Sequence, residues 1–427
     1  MDTIFALATA QGRAGVAVVR ISGPAAKRVA RGLCSDLPQS RQMVTRVLRD
    51  AKAQPLDHAL ILVFDAPRSF TGEDVVELHL HGSVAVVSAV LRELGKTEAR
   101  MAEPGEFTRR ALENNKMDLA QVEGLGDLIE AETEAQRQQA LRAVSGALGA
   151  QIETWRSLLI RAAALIEVTI DFADEDVPVD VTPEVQDLLE QVTYGIRKQL
   201  VGFSAAERIR VGFDVAIVGA PNVGKSTLLN ALAQREAAIT SDIAGTTRDV
   251  IEVRMDLDGL PVTLLDTAGL RESEDQIEAE GITRAISRAR DADLRVFLVE
   301  PGEELLVPVQ DGDVVRAPKA DLRVDDLPAV SGATGVGVDD LVQDVTKALL
   351  NRSQSAGLVT HERHRAAMER ALIDLSSAST LVAAGPDQYD IAADEMHVAI
   401  RSLEAVVGRV DVENLLDEIF SSFCLGK

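Results

Sequence analysis

The residues Gly219-Ala-Pro-Asn-Val-Gly-Lys-Ser226 carry the spacing G-x-x-x-x-G-K-[ST]. Glycines at those places let the backbone turn its N–H groups inward, where they cradle anionic phosphate at a helix N-terminus. Lys225 supplies a point charge to the outer phosphates, and the Ser226 hydroxyl is suited to Mg²⁺. The flanks fit the motif. The apolar run Phe213 to Val218 predicts a buried strand, and Thr227-Leu-Leu-Asn-Ala-Leu-Ala233 predicts the start of a helix. Further on, Val262 to Leu265 predicts a strand leading into Asp266-Thr-Ala-Gly269. A carboxylate at a strand end beside a phosphate loop can hold Mg²⁺ through water, and Gly269 can present its N–H to a γ-phosphate.

Two other groups of residues have spacing worth weighing. Asp74-Val-Val-Glu-Leu-His-Leu-His81 alternates, with Val76, Leu78 and Leu80 on one face and Glu77, His79 and His81 on the other. That polar face either lines a ligand or metal site or is the wet side of a half-buried strand. His361-Glu-Arg-His364 is not H-E-x-x-H and has no third ligand in view, so it reads as a pair of solvated residues at a helix start.

The elements that must position these groups follow from texture. Gly15 to Gly23 and His58 to Asp65 read as strands, with a helical pattern at Ala85 to Leu94, so the first segment is a small α/β domain. From Asp118 the chain turns rich in Ala, Leu, Glu, Gln and Arg. Leu141, Val144, Leu148, Ile152, Trp155 and Leu159 predict one long helix packed in a bundle. After the acidic turn Asp171 to Asp176, Thr182 reads as the cap and Pro183 as the first turn of a helix running to about Ile209. The phosphate-loop module then occupies about Val211 to Leu350, with a hairpin at Asp258-Gly259 and a strand at Leu294 to Val299. Helical texture resumes at Ala366 to Val382 and Asp390 to Val406.

Composition narrows the classes. The chain has 427 residues, room for about two to four domains. Two cysteines, Cys34 and Cys424, argue against a disulfide framework. No apolar run is long enough to span a membrane, and the N-terminus lacks a basic leader, so a cytoplasmic protein is expected. A formal charge of −24 and 3% aromatics argue against a broad basic or base-stacking nucleic-acid surface.

Together these residues resemble one family, the tRNA-modification GTPase MnmE, also called TrmE. The likeness spans nearly the whole chain. Asp2-Thr-Ile, Gly15 to Gly23 and Ser69-Phe-Thr-Gly-Glu-Asp74 are similar to the family's opening domain. Pro104-Gly-Glu-Phe-Thr108 with Asn115-Lys-Met-Asp-Leu-Ala-Gln121 resembles its passage into a helical domain. The ending Phe423-Cys-Leu-Gly-Lys427 resembles its C-terminal Phe-Cys-Ile-Gly-Lys. The resemblance implies a multidomain α/β plus α fold. A small N-terminal α/β domain (1–117) would dimerise and bind 5-formyl-tetrahydrofolate or a related folate. A helical bundle would be discontinuous (118–210 and 351–427), with a Ras-like P-loop GTPase domain (211–350) inserted.

The same resemblance assigns residues. GTP would meet Asn222, Val223, Gly224, Lys225, Ser226 and Thr227; Ser241, Asp242, Ile243, Ala244, Gly245, Thr246 and Thr247; Asp266, Thr267, Ala268 and Gly269; and Lys319, Asp321, Ser331, Gly332 and Ala333. Ser226 and Thr247 would hold Mg²⁺. Leu270 stands where many such enzymes place a water-orienting glutamine, and the family uses K⁺ instead, with Asn222, Ser241, Ile243 and Thr246 as its ligands. Glu278 matches a catalytic glutamate that positions water, with Glu280 a near neighbour. The folate pocket would use Arg20, Glu77 and Lys116, with Lys427 near it. Cys424 is the other implied catalytic residue; as an exposed thiol beside Lys427 it could react, and as a buried one it would only pack. Two departures stand out. The guanine motif Asn-Lys-x-Asp is Pro318-Lys-Ala-Asp321, which loses the Asn amide that ties base to phosphate loop, so weaker GTP binding with retained guanine preference is expected. Pro301 to Asp313, just before it, is short and unlike the usual pattern.

The implied activity is that of a K⁺-activated, homodimeric GTPase. With the FAD-dependent MnmG (GidA) protein it would modify the wobble uridine of certain tRNAs using a folate one-carbon unit, the partner supplying much of the tRNA surface. The rival is a GTP-gated scaffold for ribosome or RNA assembly. A weaker third reading is a folate-binding protein with a nearly idle GTPase.

Overall fold

The computed structural model describes residues 2–171, 180–235, 238–239, 252–266, 286–305 and 307–410, and positions 416, 419, 420, 423 and 426. It has two compact units, residues 1–126 with 404–427, and residues 127–403.

The first unit is built on β1 (Ile4–Leu7), β2 (Val16–Ser22), β3 (Met43–Arg49), β4 (Pro55–Phe64), β5 (Val75–His81) and β6 (Arg100–Met101), in the order β3-β4-β5-β2-β1-β6. All pairs are antiparallel except β1 with β6. The alternation read in the sequence is the reason. Val19, Ile21, Val76, Leu78 and Leu80 point into one core with Val29 and Leu33 of α1 (Ala26–Cys34) and Val90 and Leu94 of α2 (Val84–Leu94). Each such side chain contributes roughly 1.5–3 kcal/mol of burial. Their strand neighbours Arg20, Glu77 and His79 face the other way. α3 (Glu106–Glu113) is tied to the chain start by Arg110, which donates to the Asp2 carbonyl and carboxylate at 2.7 Å each and to Glu106 at 2.9 Å. α4 (Leu119–Glu130) follows.

In the second unit the stripe expected to form one long helix is divided between α5 (Glu134–Val144) and α6 (Ala147–Asp171). Gly146, at φ +82°, closes α5 by donating to the Ala143 carbonyl at 2.9 Å. A left-handed glycine is a common helix stop, and periodicity alone is blind to it because the break preserves the spacing. Leu141 is accordingly exposed, while Leu148, Ile152, Trp155 and Leu159 are buried as expected. The next helix also differs from expectation. α7 (Thr182–Val201) has Val181 at its N-cap position, and the Asp180 carboxylate accepts the Thr182 N–H at 2.9 Å. The Thr182 hydroxyl instead meets the Tyr389 hydroxyl at 2.7 Å. α7 ends at Gly202, and α8 (Phe203–Val211) continues the chain. A Cβ on Gly202 would lie 2.3 Å from the Ser355 carbonyl oxygen, so close backbone approach explains the glycine. His364 is buried, not solvated, while His361 places its Nε2 3.1 Å from Asp127.

The rest of this unit is a sheet of β7 (Phe213–Gly219), β8 (Glu252–Leu257), β9 (Leu260–Asp266), β10 (Leu294–Leu298), β11 (Val314–Pro318) and β12 (Ala329–Val330), in the order β12-β11-β10-β7-β9-β8. All pairs are parallel except the β8–β9 hairpin. Asp258 (φ +53°) and Gly259 (φ +86°) make its two-residue turn. α9 (Lys225–Ala233) and α10 (Val338–Ser353) bury Leu228, Leu229, Leu232, Leu341 and Val345 against Val215, Ile217, Leu264 and Val296. α11 (Glu362–Ala384) and α12 (Tyr389–Val406) are the last long helices among the described residues.

A parallel pair needs a long crossover, usually a helix. From Val299 to Asp313 the described residues of the β10–β11 crossover contain none. Instead a buried ion pair holds it. The Arg295 Nε lies 3.1 and 2.9 Å from the two Asp313 carboxylate oxygens, with side-chain exposures of 2% and 0%. Arg295 also donates to Gln310 Oε1 at 2.7 Å, and Asp313 accepts the backbone N–H groups of Arg295 and Gln310.

Candidate functional site

β7 delivers the phosphate-binding motif at the C-terminal end of the sheet, where ligands bind in open α/β sheets. Its central place follows from register: Leu298 of β10 pairs with Gly219, and Asp266 of β9 pairs with Ile217. Not both motif glycines serve the turn. Gly224 (φ +113°) and Asn222 (φ +62°) carry the left-handed conformations. Gly219 answers to packing, because a Cβ there would lie 2.4 Å from the Leu298 carbonyl oxygen.

Lys225 opens α9 and is 5% exposed. Its Nζ donates to the carbonyls of Gly219 and Ala220, both at 2.8 Å. Burial lowers its pKa, against the opposing pull of the Asp266 and Glu303 carboxylates. The ammonium thus rests on two neutral acceptors that an anionic phosphate could replace. One residue on, the Ser226 hydroxyl donates to the Asp266 carboxylate at 2.7 Å, with Asp266 3% exposed. Two hard oxygen donors are therefore side by side, the chemistry Mg²⁺ takes.

The segment expected to read guanine starts where β11 stops. Pro318 is buried at the strand end, Lys319 is left-handed (φ +56°), and Ala320–Leu322 form a single 3₁₀ turn with Asp321 exposed. Ser331 is 4% exposed and Ala333 is exposed. Between them Gly332 packs on the start of α9: a Cβ there would lie 2.4 Å from the Leu228 nitrogen. Val223 is buried and Thr227 exposed beside the loop.

In the first unit, Arg20 and Glu77 are cross-strand partners of β2 and β5. Arg20 donates to Glu77 at 3.0 Å, and the Glu77 carboxylate also meets His79 Nε2 at 3.2 Å. The Arg20 guanidinium lies 5.3 Å from the Phe70 ring and 5.7 Å from that of Phe107. Both aromatics sit in stretches singled out in the sequence, Ser69–Asp74 and Pro104–Thr108, where nothing in the residue pattern marks them as neighbours of Arg20. Lys116 is exposed, with its Cε beside Gly72 of the same loop as Phe70. The C-terminal Gly426 is buried against β1, where a Cβ would lie 2.0 Å from the Leu7 carbonyl oxygen. His81 does not join Glu77 and His79; its Nδ1 is 2.7 Å from Asp57. Among the described residues no group of three or more His, Cys, Asp or Glu could hold a metal ion. Cys34 is buried, and burial pushes its thiol up to about 11.

Several expected site residues lie outside the described residues: Ser241, Asp242, Ile243, Ala244, Gly245, Thr246, Thr247, Thr267, Ala268, Gly269, Leu270, Glu278, Glu280, Cys424 and Lys427. Among the described residues no helix is long and apolar enough to cross a membrane.

A family model for the GTP-binding protein TrmE N-terminus matches residues 3–116, and one for the MnmE helical domain matches residues 119–424. The tRNA modification GTPase MnmE of Roseobacter denitrificans is 62% identical over 100% of both chains. Those of Ruegeria pomeroyi and Ruegeria sp. (strain TM1040) are 61% and 60% identical, again over 100% of both. The chain therefore belongs to the MnmE family of tRNA-modification GTPases, and is a GTP hydrolase acting in tRNA modification.

Proposed function

We propose that the chain hydrolyses GTP to GDP and phosphate in a K⁺-dependent way. We further propose that, with the FAD-dependent MnmG protein, it modifies C5 of the wobble uridine (U34) of certain tRNAs with a tetrahydrofolate one-carbon unit. The observation that carries the hydrolytic half is the Lys225, Ser226 and Asp266 arrangement, in which a buried cation and two oxygen donors converge beside the loop N–H groups. Lys225 binds the outer phosphates, and Lys319 and Asp321 face the guanine. Ser226 and Thr247 would hold Mg²⁺; Asn222, Ser241, Ile243 and Thr246 would hold K⁺. The left-handed backbone at Asn222 fits this, since it puts the amide side chain on a tight turn within the phosphate loop. K⁺ held by those residues would supply positive charge to the phosphates, a role filled elsewhere by an arginine. Leu270 has no group to orient water, so Glu278 takes that part.

The test compares hydrolysis in KCl and NaCl at equal ionic strength. The expected result is a rate at least about tenfold higher in KCl, of the size that one well-placed charge gives a transition state. Equal rates in both salts, with GTP shown to bind, would remove K⁺ from the reading.

The folate half rests on Arg20, half-buried between two aromatic rings and braced by Glu77, with Lys116 on the neighbouring loop. A guanidinium and an ammonium suit a ligand that carries glutamate carboxylates, and the aromatic rings suit its planar pterin. Lys427 follows Gly426 in the sequence and is proposed to act near the same pocket. The sheet face that carries Arg20 also exposes Val16, Met43 and Leu60, which supports a homodimer through residues 1–117. The same reading divides the rest into a helical domain of 118–210 and 351–427 around a GTPase domain of 211–350, and gives Cys424 a catalytic role. Arg20→Ala is expected to weaken binding of 5-formyl-tetrahydrofolate by about tenfold or more in calorimetry, with GTP hydrolysis intact. Unchanged folate affinity would sink the pocket assignment.

A further inference from the structure

Pro318 cannot supply the side-chain amide that would tie a guanine base to the phosphate loop, and the turn that follows has little apolar anchorage. Asp321 is exposed, Leu322 is 76% exposed, and Val324 is fully exposed. Something else must hold Lys319 and Asp321 at a fixed height over the nucleotide. Only two residues beyond Asp321, the Arg323 side chain turns back and is 13% exposed. It donates from Nη1 to Glu300 Oε2 at 2.7 Å, and from Nε and Nη2 to the two Asp325 oxygens at 3.0 and 2.7 Å. Asp325 is local to the turn. Glu300 is not: it lies two residues beyond Leu298, the end of β10, and Leu298 pairs with Gly219 of the phosphate loop. The Glu300 N–H in turn donates to Glu303 at 3.0 Å, and Glu303 acts electrostatically on Lys225.

We propose that Arg323 is the positioning residue of the guanine-reading turn, clamping it through Glu300 to the β10 end beside the phosphate loop in place of the asparagine that Pro318 replaces. The proposal rests on Lys319 and Asp321 as guanine contacts. Isolated exposed ion pairs do little. This one differs in geometry, because a planar fork held on two carboxylates fixes orientation as well as distance. A lysine has the charge without the fork.

The experiment measures GDP affinity, and KM and kcat for GTP, in the full-length protein. Arg323→Ala is expected to raise Kd for GDP and KM for GTP by about tenfold, with kcat at saturation within about twofold. Arg323→Lys is expected to fall between Arg323→Ala and the parent. Glu300→Gln, at a half-exposed site where folding is safe, is expected to move both constants the same way. A purely structural arginine would lower the melting temperature and leave Kd of the folded protein where it was. Parent-like Kd in both folded Arg323→Ala and Glu300→Gln would overturn the clamp; if Arg323→Ala does not fold, Glu300→Gln decides alone. Asp321→Asn separates the two ideas, since it should shift preference from guanosine towards xanthosine diphosphate. If Asp321→Asn shifts and the clamp variants do not, only the clamp falls. If Asp321→Asn leaves base preference unchanged, the guanine reading falls and the clamp with it.

Discussion

Lys225→Met is expected to lower kcat for GTP hydrolysis by about 10²–10³-fold, the range lost with one aligned electrostatic donor, while the protein stays folded. The first half follows from position. Lys225 Nζ sits at the mouth of the loop on the Gly219 and Ala220 carbonyls, one residue from the hydroxyl bonded to Asp266. In the proposed role, negative charge on a transferring phosphoryl group would be met by that ammonium, and nothing in Met replaces it. The second half follows from burial. Lys225 is 5% exposed and carries a lowered pKa, so holding its ammonium there costs solvation that two neutral carbonyls only partly return. Met has similar length and no charge to desolvate. Thermal melting should therefore show an unchanged or slightly raised midpoint beside the lost activity. A variant that keeps more than about a tenth of parental kcat would contradict the assigned role.

Breaking the Arg295–Asp313 pair is expected to have the largest effect on stability. Arg295→Met should cost about 3–5 kcal/mol, because it leaves the Asp313 carboxylate charged and unpaired with its side chain fully buried. Asp313→Leu should cost at least as much, since it strips Arg295 and two backbone N–H donors at once. Replacing both with apolar residues removes the charge penalty, and a buried pair so replaced is often neutral. Here the Arg295 and Gln310 N–H groups would still lose their acceptor, so the double variant should retain a loss of about 1–3 kcal/mol. Urea unfolding of the three variants forms a double-mutant cycle. Additive losses, or a loss under about 1 kcal/mol for Arg295→Met, would mean that the crossover is held by its apolar contacts alone.

Local rules carried far along this chain. The alternation at Asp74 to His81 became β5 with the faces expected, because a strand's side chains have a period of two whatever surrounds them. The strand–loop–helix at Phe213 to Ala233 formed as its motif requires. Errors arose where two local signals competed. Leu141 to Leu159 keeps helical spacing through Gly146, whose left-handed φ breaks the helix without disturbing the pattern. Thr182 has the chemistry of a cap, but Asp180 lies two residues upstream and takes its N–H. His364 has the polarity of a surface residue and is buried all the same.

By itself the sequence determined the chemistry on offer: a phosphate-loop motif with Lys225 and Ser226, a carboxylate at the strand end Asp266, and Glu77 on the polar face of an alternating strand. Each depends on residue type at short spacing, which the chain spells out. Only the tertiary structure decided what those groups touch. Arg20 and Glu77 are far apart in sequence and meet because antiparallel register puts them opposite each other. Asp266 reaches Ser226 because β9 lies parallel to β7. Arg295 finds Asp313 across a crossover that has no helix among its described residues, and Arg323, beyond β11, finds Glu300 just after β10. Contacts of that kind are set by the pairing of distant strands, and no periodicity or motif within one segment encodes which strand lies beside it.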